Sequence, residues 1–273
     1  MEEDVNFSSK VVDWLNSQGY PLEMSVASAF KQHGFYTRIS DFYDDFETSS
    51  PREIDVTAQL SFNTKDKTWF QVSCHIECKS TRDKPWLLFI SDVTGDELGS
   101  LFEYVISSKA YTLFLAQKSG LGKNIESKLN IDYLPIFSAK KIGYGVAQAF
   151  SSGQDVPFKA TMSAIKSAVS RVHKFSGENS NSIAFPVIVT EGKLFECYLE
   201  PNGQIRINET NSGLLLSKFP NPLHTSPIVS IVTKNSLPDF IIELMATIDI
   251  LKKSMDDTNL WEITKEIIPK SGI

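Results

Sequence analysis

Cysteine is scarce in this chain: Cys74, Cys78 and Cys197 are the only three among 273 residues. An odd count without a Cys-x-x-Cys pair indicates neither a disulfide framework nor a zinc site, so the expected setting is reducing and cytoplasmic. Positive charge is not in excess either, the formal net charge being −6. That argues against a protein that coats nucleic acid through bulk electrostatics, although a local basic groove stays possible. Long apolar runs are missing. The longest, Trp86 to Ile90 and Ile183 to Val189, fall far short of a bilayer span. The acidic opening Met1-Glu2-Glu3-Asp4 lacks the basic and apolar regions of a signal peptide, and a soluble protein is expected. Gly120-Leu121-Gly122-Lys123 lacks the Walker spacing and the Ser or Thr after Lys, so it reads as a turn.

What the chain does have is an ordinary globular composition, 41% hydrophobic, and enough length to bury a core. No repeat or low-complexity linker divides it. The expectation is one α/β domain over residues 1–273, with the region 92–156 as an insertion.

The most informative stretch runs from Arg52 to Lys79. Arg52 to Phe62 and Trp69 to Lys79 alternate apolar and polar residues around the polar turn Asn63 to Lys67, the pattern of two strands in a hairpin. Ile54, Val56, Ala58 and Leu60 are expected on one face, with Glu53, Asp55, Thr57 and Gln59 on the other. In the second strand Val72, Cys74, Ile76 and Cys78 oppose Ser73, His75, Glu77 and Lys79. A turn centred on Asp66 makes paired positions sum to 132, which sets Asp55 across from Glu77 and Phe62 across from Phe70. Opposed Cβ atoms lie about 4.5–5.5 Å apart, so the two carboxylates repel unless positive charge sits between them. Lys79 supplies part of that charge and a divalent cation can supply the rest. Hard oxygen ligands suit Mg²⁺ better than a softer metal. His75, alone on this face, is expected to be a structural neighbour rather than a ligand.

Around this hairpin the pattern predicts a first helix capped at Ser8 or Ser9 and ending near Gly19, then a second from Pro21 to Gly34 with Glu23 in its first turn. Phe35 to Tyr43 reads as a strand. Beyond the hairpin come a strand at Pro85 to Ile90, a helix at about Glu97 to Ser108 and a strand at Tyr111 to Ala116. Pro157 to Gly177 holds Lys159, Lys166, Arg171, His173 and Lys174 with no acidic residue, and Met162, Ile165, Val169 and Val172 recur at helical spacing. This is a crossover helix with a basic side, able to attract phosphate together with Arg82 and Lys84. Ala184 to Thr190 and Lys193 to Leu199 read as a strand pair around Glu191-Gly192. Gln204 to Glu209, Pro227 to Thr233, a helix from Leu237 and a weaker helix at Trp261 to Ile267 complete the chain.

The texts Tyr-Pro-Leu-Glu, Arg-Glu-Ile-Asp-Val and Ile-Glu-Cys-Lys-Ser, carrying Glu23, Asp55, Glu77 and Lys79, resemble the PD-(D/E)XK, or restriction-endonuclease-like, nuclease superfamily. The likeness covers Leu22 to Ser80; Ile54 stands where the family name has Pro, which members commonly lack. The resemblance implies a central mixed β-sheet flanked by helices, a core at about 20–91 and 157–255, and a C-terminal helix. It implies Mg²⁺, with Mn²⁺ as a substitute, held by Asp55, Glu77 and the Cys78 carbonyl, with Glu23 on a second metal or its water. It further implies that Lys79 orients the attacking water or stabilises the pentavalent charge during hydrolysis of a phosphodiester, DNA first. The local cations Arg82, Lys84, Lys159 and Lys166 are the candidates for contact with the substrate. The alternative is a catalytically silent subunit on the same fold that binds nucleic acid, a protein partner or a second copy of itself.

Overall fold

The computed structural model describes residues 2–90, 103–116, 134–138, 140–151, 155–174 and 181–257. Its frame is set by β7 (Asn181–Thr190), in which every residue is buried. Ile183, Phe185, Val187 and Val189 enter one apolar cluster, while Ala184 and Ile188 enter the other. A strand buried on both faces is normal where neighbours run parallel, and β7 is parallel to both β3 (Trp69–Lys79) and β11 (Ile228–Thr233). Pro186, which cannot donate to a ladder, falls in the gap between the rungs to β5 (Ile106–Ser107), ending at Ala184, and those to β11, starting at Val187.

From this frame one mixed sheet extends in both directions. On one side β3 pairs antiparallel with β2 (Pro51–Asn63), which pairs antiparallel with β1 (Tyr36–Asp44). On the other, β11 leads through β10 (Ser212–Leu216), β6 (Ile142–Gln148), β4 (Trp86–Ile90) and β8 (Leu194–Leu199) to the edge strand β9 (Ile205–Thr210). Both faces are covered. Helices α2 (Tyr20–Gln32) and α5 (Leu237–Asp256) bury Leu22, Val26, Phe30, Leu244 and Leu251 in the first cluster, and α3 (Lys109–Ala116) adds Tyr111 and Phe114. Helix α4 (Val156–Lys174) buries Ile165, Ala168, Val169 and Val172 in the second. The fold is therefore α/β with a large mixed sheet between helices, one of them towards the C-terminus, as expected. Among the described residues no helix is long and apolar enough to cross a membrane.

The hairpin has the predicted register. Rungs from Val56↔Ile76 to Asn63↔Trp69 sum to 132, and the rings of Phe62 and Phe70 meet at 5.3 Å. Several other expectations fail. The first helix, α1 (Glu2–Asn16), begins upstream of Ser8 and Ser9, since no Gly or Pro interrupts that stretch. Lys109–Ala116 is a helix rather than a strand, its alternation being too short to discriminate, and Ile106–Ser107 is a strand on β7 rather than the end of a helix. Most important, β7 and β8 do not pair. The flanks of β7 are taken by β3 on one side and by β5 and β11 on the other, and β8 crosses to pair with β4 and β9. At the crossing, a Cβ on Gly192 would lie 2.6 Å from the Thr81 carbonyl oxygen, so only glycine permits the approach. Strand β10 was not anticipated. The expected turn at Gly120-Lys123 and the helices placed at Glu97–Phe102 and Trp261–Ile267 lie outside the described residues.

The far half of the sheet packs tightly enough to test. A Cβ added at Gly143 would lie 2.3 Å from Cδ1 of Leu88, which is fully buried, and 3.2 Å from the Phe89 carbonyl oxygen. Gly143→Ala should cost about 1–3 kcal/mol by overpacking. Chemical denaturation should show a much smaller effect of the same substitution in a Leu88→Ala background.

Candidate acidic site at the end of β3

Lys79, Thr190 and Thr233 occupy one row across the carboxyl ends of three parallel strands, the end of an open sheet where ligand crevices form. Just inside that row, the Lys79 ammonium sits 2.6 Å from Glu77 Oε2 and 3.5 Å from Asp55 Oδ2. Asp55 and Glu77 are the positions that follow the last rung of the β2–β3 ladder. Freed from pairing, Asp55 turns to accept a hydrogen bond from the Cys78 amide at 2.7 Å. This engages the Cys78 N–H; the Cys78 carbonyl, which the resemblance implies as a metal ligand, is a separate group that the bond leaves untouched.

Glu77 is buried, and its other oxygen, Oε1, accepts a hydrogen bond from Ser163 of α4 at 2.6 Å. Tyr43 of β1 places its hydroxyl 3.4 Å from Ser163 Oγ. Because the Ser163 proton is given to Glu77, Tyr43 is left to donate. Burial raises the Glu77 pKa, and the charge of Asp55 raises it further against the pull of Lys79. For Lys79, burial alone would lower the pKa; the charges of Glu77 and Asp55 reverse this and raise it. The ammonium is held charged by the two carboxylates it bridges.

Glu23 approaches from the first turn of α2, on the other face of the sheet. Partial burial raises its pKa, followed by the charges of Asp55 and Glu53. It feels the cluster electrostatically. Among the described residues no group of three or more His, Cys, Asp and Glu is gathered closely enough to enclose a metal. The Cys74 and Cys78 thiols are pushed up by burial, which makes them inert packing groups rather than nucleophiles.

Strict alternation along β2 does not survive near Asp55. Ile54 is buried but lies outside the cluster that holds Val56 and Ala58, and it lines a cleft with Thr57 and His75. Directly opposite Asp55, β1 has Ser40 at φ 52, a left-handed residue that changes the course of the strand.

The expected cations behave differently from one another. Lys166 is taken up by Asp45, at 2.9 Å, and by Glu47, and Arg82 by Glu191 at 3.0 Å. Their first task is structural, because Asp45 and Glu191 are nearly buried carboxylates that need partners. Lys159 lines a cleft with Tyr43 and Ser163, beside the acidic cluster. Lys84 lies by the Glu191-Gly192 crossing, its carbonyl 3.4 Å from where a Gly192 Cβ would be.

Sequence reading missed Tyr43, Ser163 and a buried polar network beyond them. His75 is hydrogen-bonded through Nδ1 to Ser167 at 2.7 Å and through Nε2 to Ser73 at 3.2 Å. Arg171 donates to Gln59 and Gln71. The available signal was the spacing of Ser163, Ser167 and Arg171 at i, i+4 and i+8, a polar stripe on one side of an otherwise apolar helix face. Comparisons with protein-family models, with curated proteins and with solved structures return no match.

Burial lowers the His75 pKa from its usual 6.5 to about 3, helped by the charge of Arg171. The unfolded chain therefore binds a proton between these values that the folded protein refuses. This contribution to stability is fully present above about pH 6.5 and is lost as pH falls towards 3, by up to about 1.4 kcal/mol per pH unit. Comparing denaturant midpoints across pH 4–7, His75→Gln should flatten the acid-side slope by about one proton relative to wild type.

Proposed function

We propose that this chain is a metal-dependent nuclease acting on a phosphodiester, with DNA as the first substrate to test. The observation that carries the reading is the convergence of Asp55 and Glu77 on one cationic point, the Lys79 ammonium, at the carboxyl end of β3. Two further features support it. The order α2, the antiparallel β1–β2–β3, α4 and then β7 alongside β3 is compatible with a restriction-endonuclease-like core. The acidic cluster also adjoins an open cleft through Ser163 and Tyr43.

What supports a hard divalent cation is the donor type, two carboxylates side by side, although a cation there would have to share their oxygens with Lys79. Asp55 and Glu77 would hold Mg²⁺ or Mn²⁺, with Glu23 acting at longer range. When bound, the ion supplies positive charge at the phosphate and acidifies a water. The remaining work belongs to the chain. Ser163 fixes the rotamer of Glu77 through one oxygen, which leaves the other facing Lys79. The raised pKa of Lys79 keeps it protonated at neutral pH, suited to orienting water and to stabilising negative charge that develops on the phosphate.

Cleavage of plasmid and single-stranded DNA in Mg²⁺ should be abolished by chelator, by Asp55→Ala and by Lys79→Ala, with circular dichroism unchanged. Each substitution should cost at least about 10²-fold in rate. Activity that survives in both variants would reject the mechanism.

A second reading is a catalytically silent module on the same fold, which recognises nucleic acid or a partner chain. It is favoured by the completeness of the Lys79 ion pairs, which already neutralise much of the carboxylate charge. Calorimetry with Mn²⁺ separates the two: heat lost in Asp55→Ala supports the nuclease, and no heat from folded wild type supports the silent module.

A further inference from the structure

The acidic cluster stands at one end of a groove that runs past the first half of α4. At the near end Tyr43, Glu53, Lys159 and Ser163 line a cleft of about 380 Å³. At the far end Tyr144, Leu216 and Lys218 line another of about 430 Å³. Both clefts include Phe158, Met162 and Phe219, so they form one continuous surface. Its rings are left in water: Tyr144 is 70% and Phe158 53% exposed. Single exposed aromatics need no explanation. Here they line a path that ends at the residue donating to Glu77, and the exposed cations Lys159 and Lys218 line it with them, one in each cleft.

We propose that this groove takes a single-stranded nucleic acid, with unpaired bases stacked on Phe158 and Tyr144 and the strand led towards Glu77. The choice of ligand rests on the nuclease reading; the choice of strand state rests on the rings. A base inside a duplex is stacked on its neighbours and offers no free face, whereas every unpaired base has a π-face that an aromatic side chain can cover. Charge contributes less. Lys166, which also lies within 6.0 Å of the Phe219 ring centroid, is committed to Asp45 and Glu47. Asp155 accepts from the Phe158 amide, and Glu53 lines the near end. Cations and anions nearly cancel, so binding should depend on salt far less steeply than for a basic nucleic-acid groove.

The test is fluorescence anisotropy in chelator with a short labelled strand, single or annealed to its complement. Wild type should bind the single strand about tenfold tighter than the duplex, with a shallow salt dependence. Phe158→Ala and Tyr144→Ala should each weaken single-strand binding by about 5- to 150-fold, the value of one stacked base. Both side chains are solvent-facing, and melting curves should confirm that the variants fold. Equal affinity for the duplex, or unchanged affinity in both ring variants, overturns the inference. Ring-dependent strand binding without any cleavage keeps this inference and rejects the nuclease reading; cleavage without ring-dependent binding does the reverse.

Discussion

Glu77 is a carboxylate in a place where burial opposes its charge, and the local structure is arranged to hold it there. Lys79 meets one oxygen and Ser163 the other, both at 2.6 Å. Lys79 comes from the same strand, two residues on, where period-two geometry places it on the same face. Ser163 comes from α4, more than eighty positions later in the chain. The helix must therefore be docked before the carboxylate is satisfied, and α4 docks because Ile165, Ala168, Val169 and Val172 are buried against the sheet. The site and the second apolar cluster stabilise each other: apolar burial supplies the driving force, and the Ser163–Glu77 bond removes the penalty of an unsatisfied buried group.

The position of β7 explains why such a site lies at this end of the sheet. Parallel pairing with β3 and β11 aligns three carboxyl termini, so the chain leaves the sheet at Lys79, Thr190 and Thr233 together. These exits need their own anchoring. Glu191 donates its amide to the Lys79 carbonyl, while its side chain holds Arg82 and Lys234. The hydrogen bonds to those two cations keep the Glu191 pKa low in spite of burial. An ion-paired clamp thus fixes the backbone next to the Glu77–Lys79 pair from the far side.

How much of this was legible in the sequence depends on the range of the interaction. The β2–β3 hairpin was readable because its register follows from a local turn and alternating residues, and Asp55, Glu77 and Lys79 inherit their proximity from it. Helices α2, α4 and α5 were readable from apolar periodicity with Pro at their starts. The pairing of β7 and β8 was misread because a short Glu-Gly connection between two apolar strands has the appearance of a hairpin, while the actual partners, β3 and β4, lie a hundred residues upstream. No local pattern encodes that choice. Ser163 and Tyr43 were missed for the same reason: a serine on a helix and a tyrosine on a strand acquire a role only when the fold brings them to Glu77. Near Asp55 the alternation rule itself gave way, because a left-handed Ser40 on the neighbouring strand redirects the backbone.

Composition was least informative about partners, and the ion pairs show why. Lys166, Arg82, Lys234 and Arg206 all stand against carboxylates of the same chain. A basic residue used to keep a buried Asp or Glu ionised is counted in the net charge but is only weakly offered to a phosphate. The basic side of α4 is a case in point: its cations look like a phosphate-attracting rim in the sequence, yet Lys166 and Lys174 face acids on the β1–β2 connection and at the end of β1. Recognition of an anionic polymer by an acidic protein of this kind has to rest on contacts that internal pairing does not cancel. The surfaces of exposed rings meet that condition, since stacking needs no net charge.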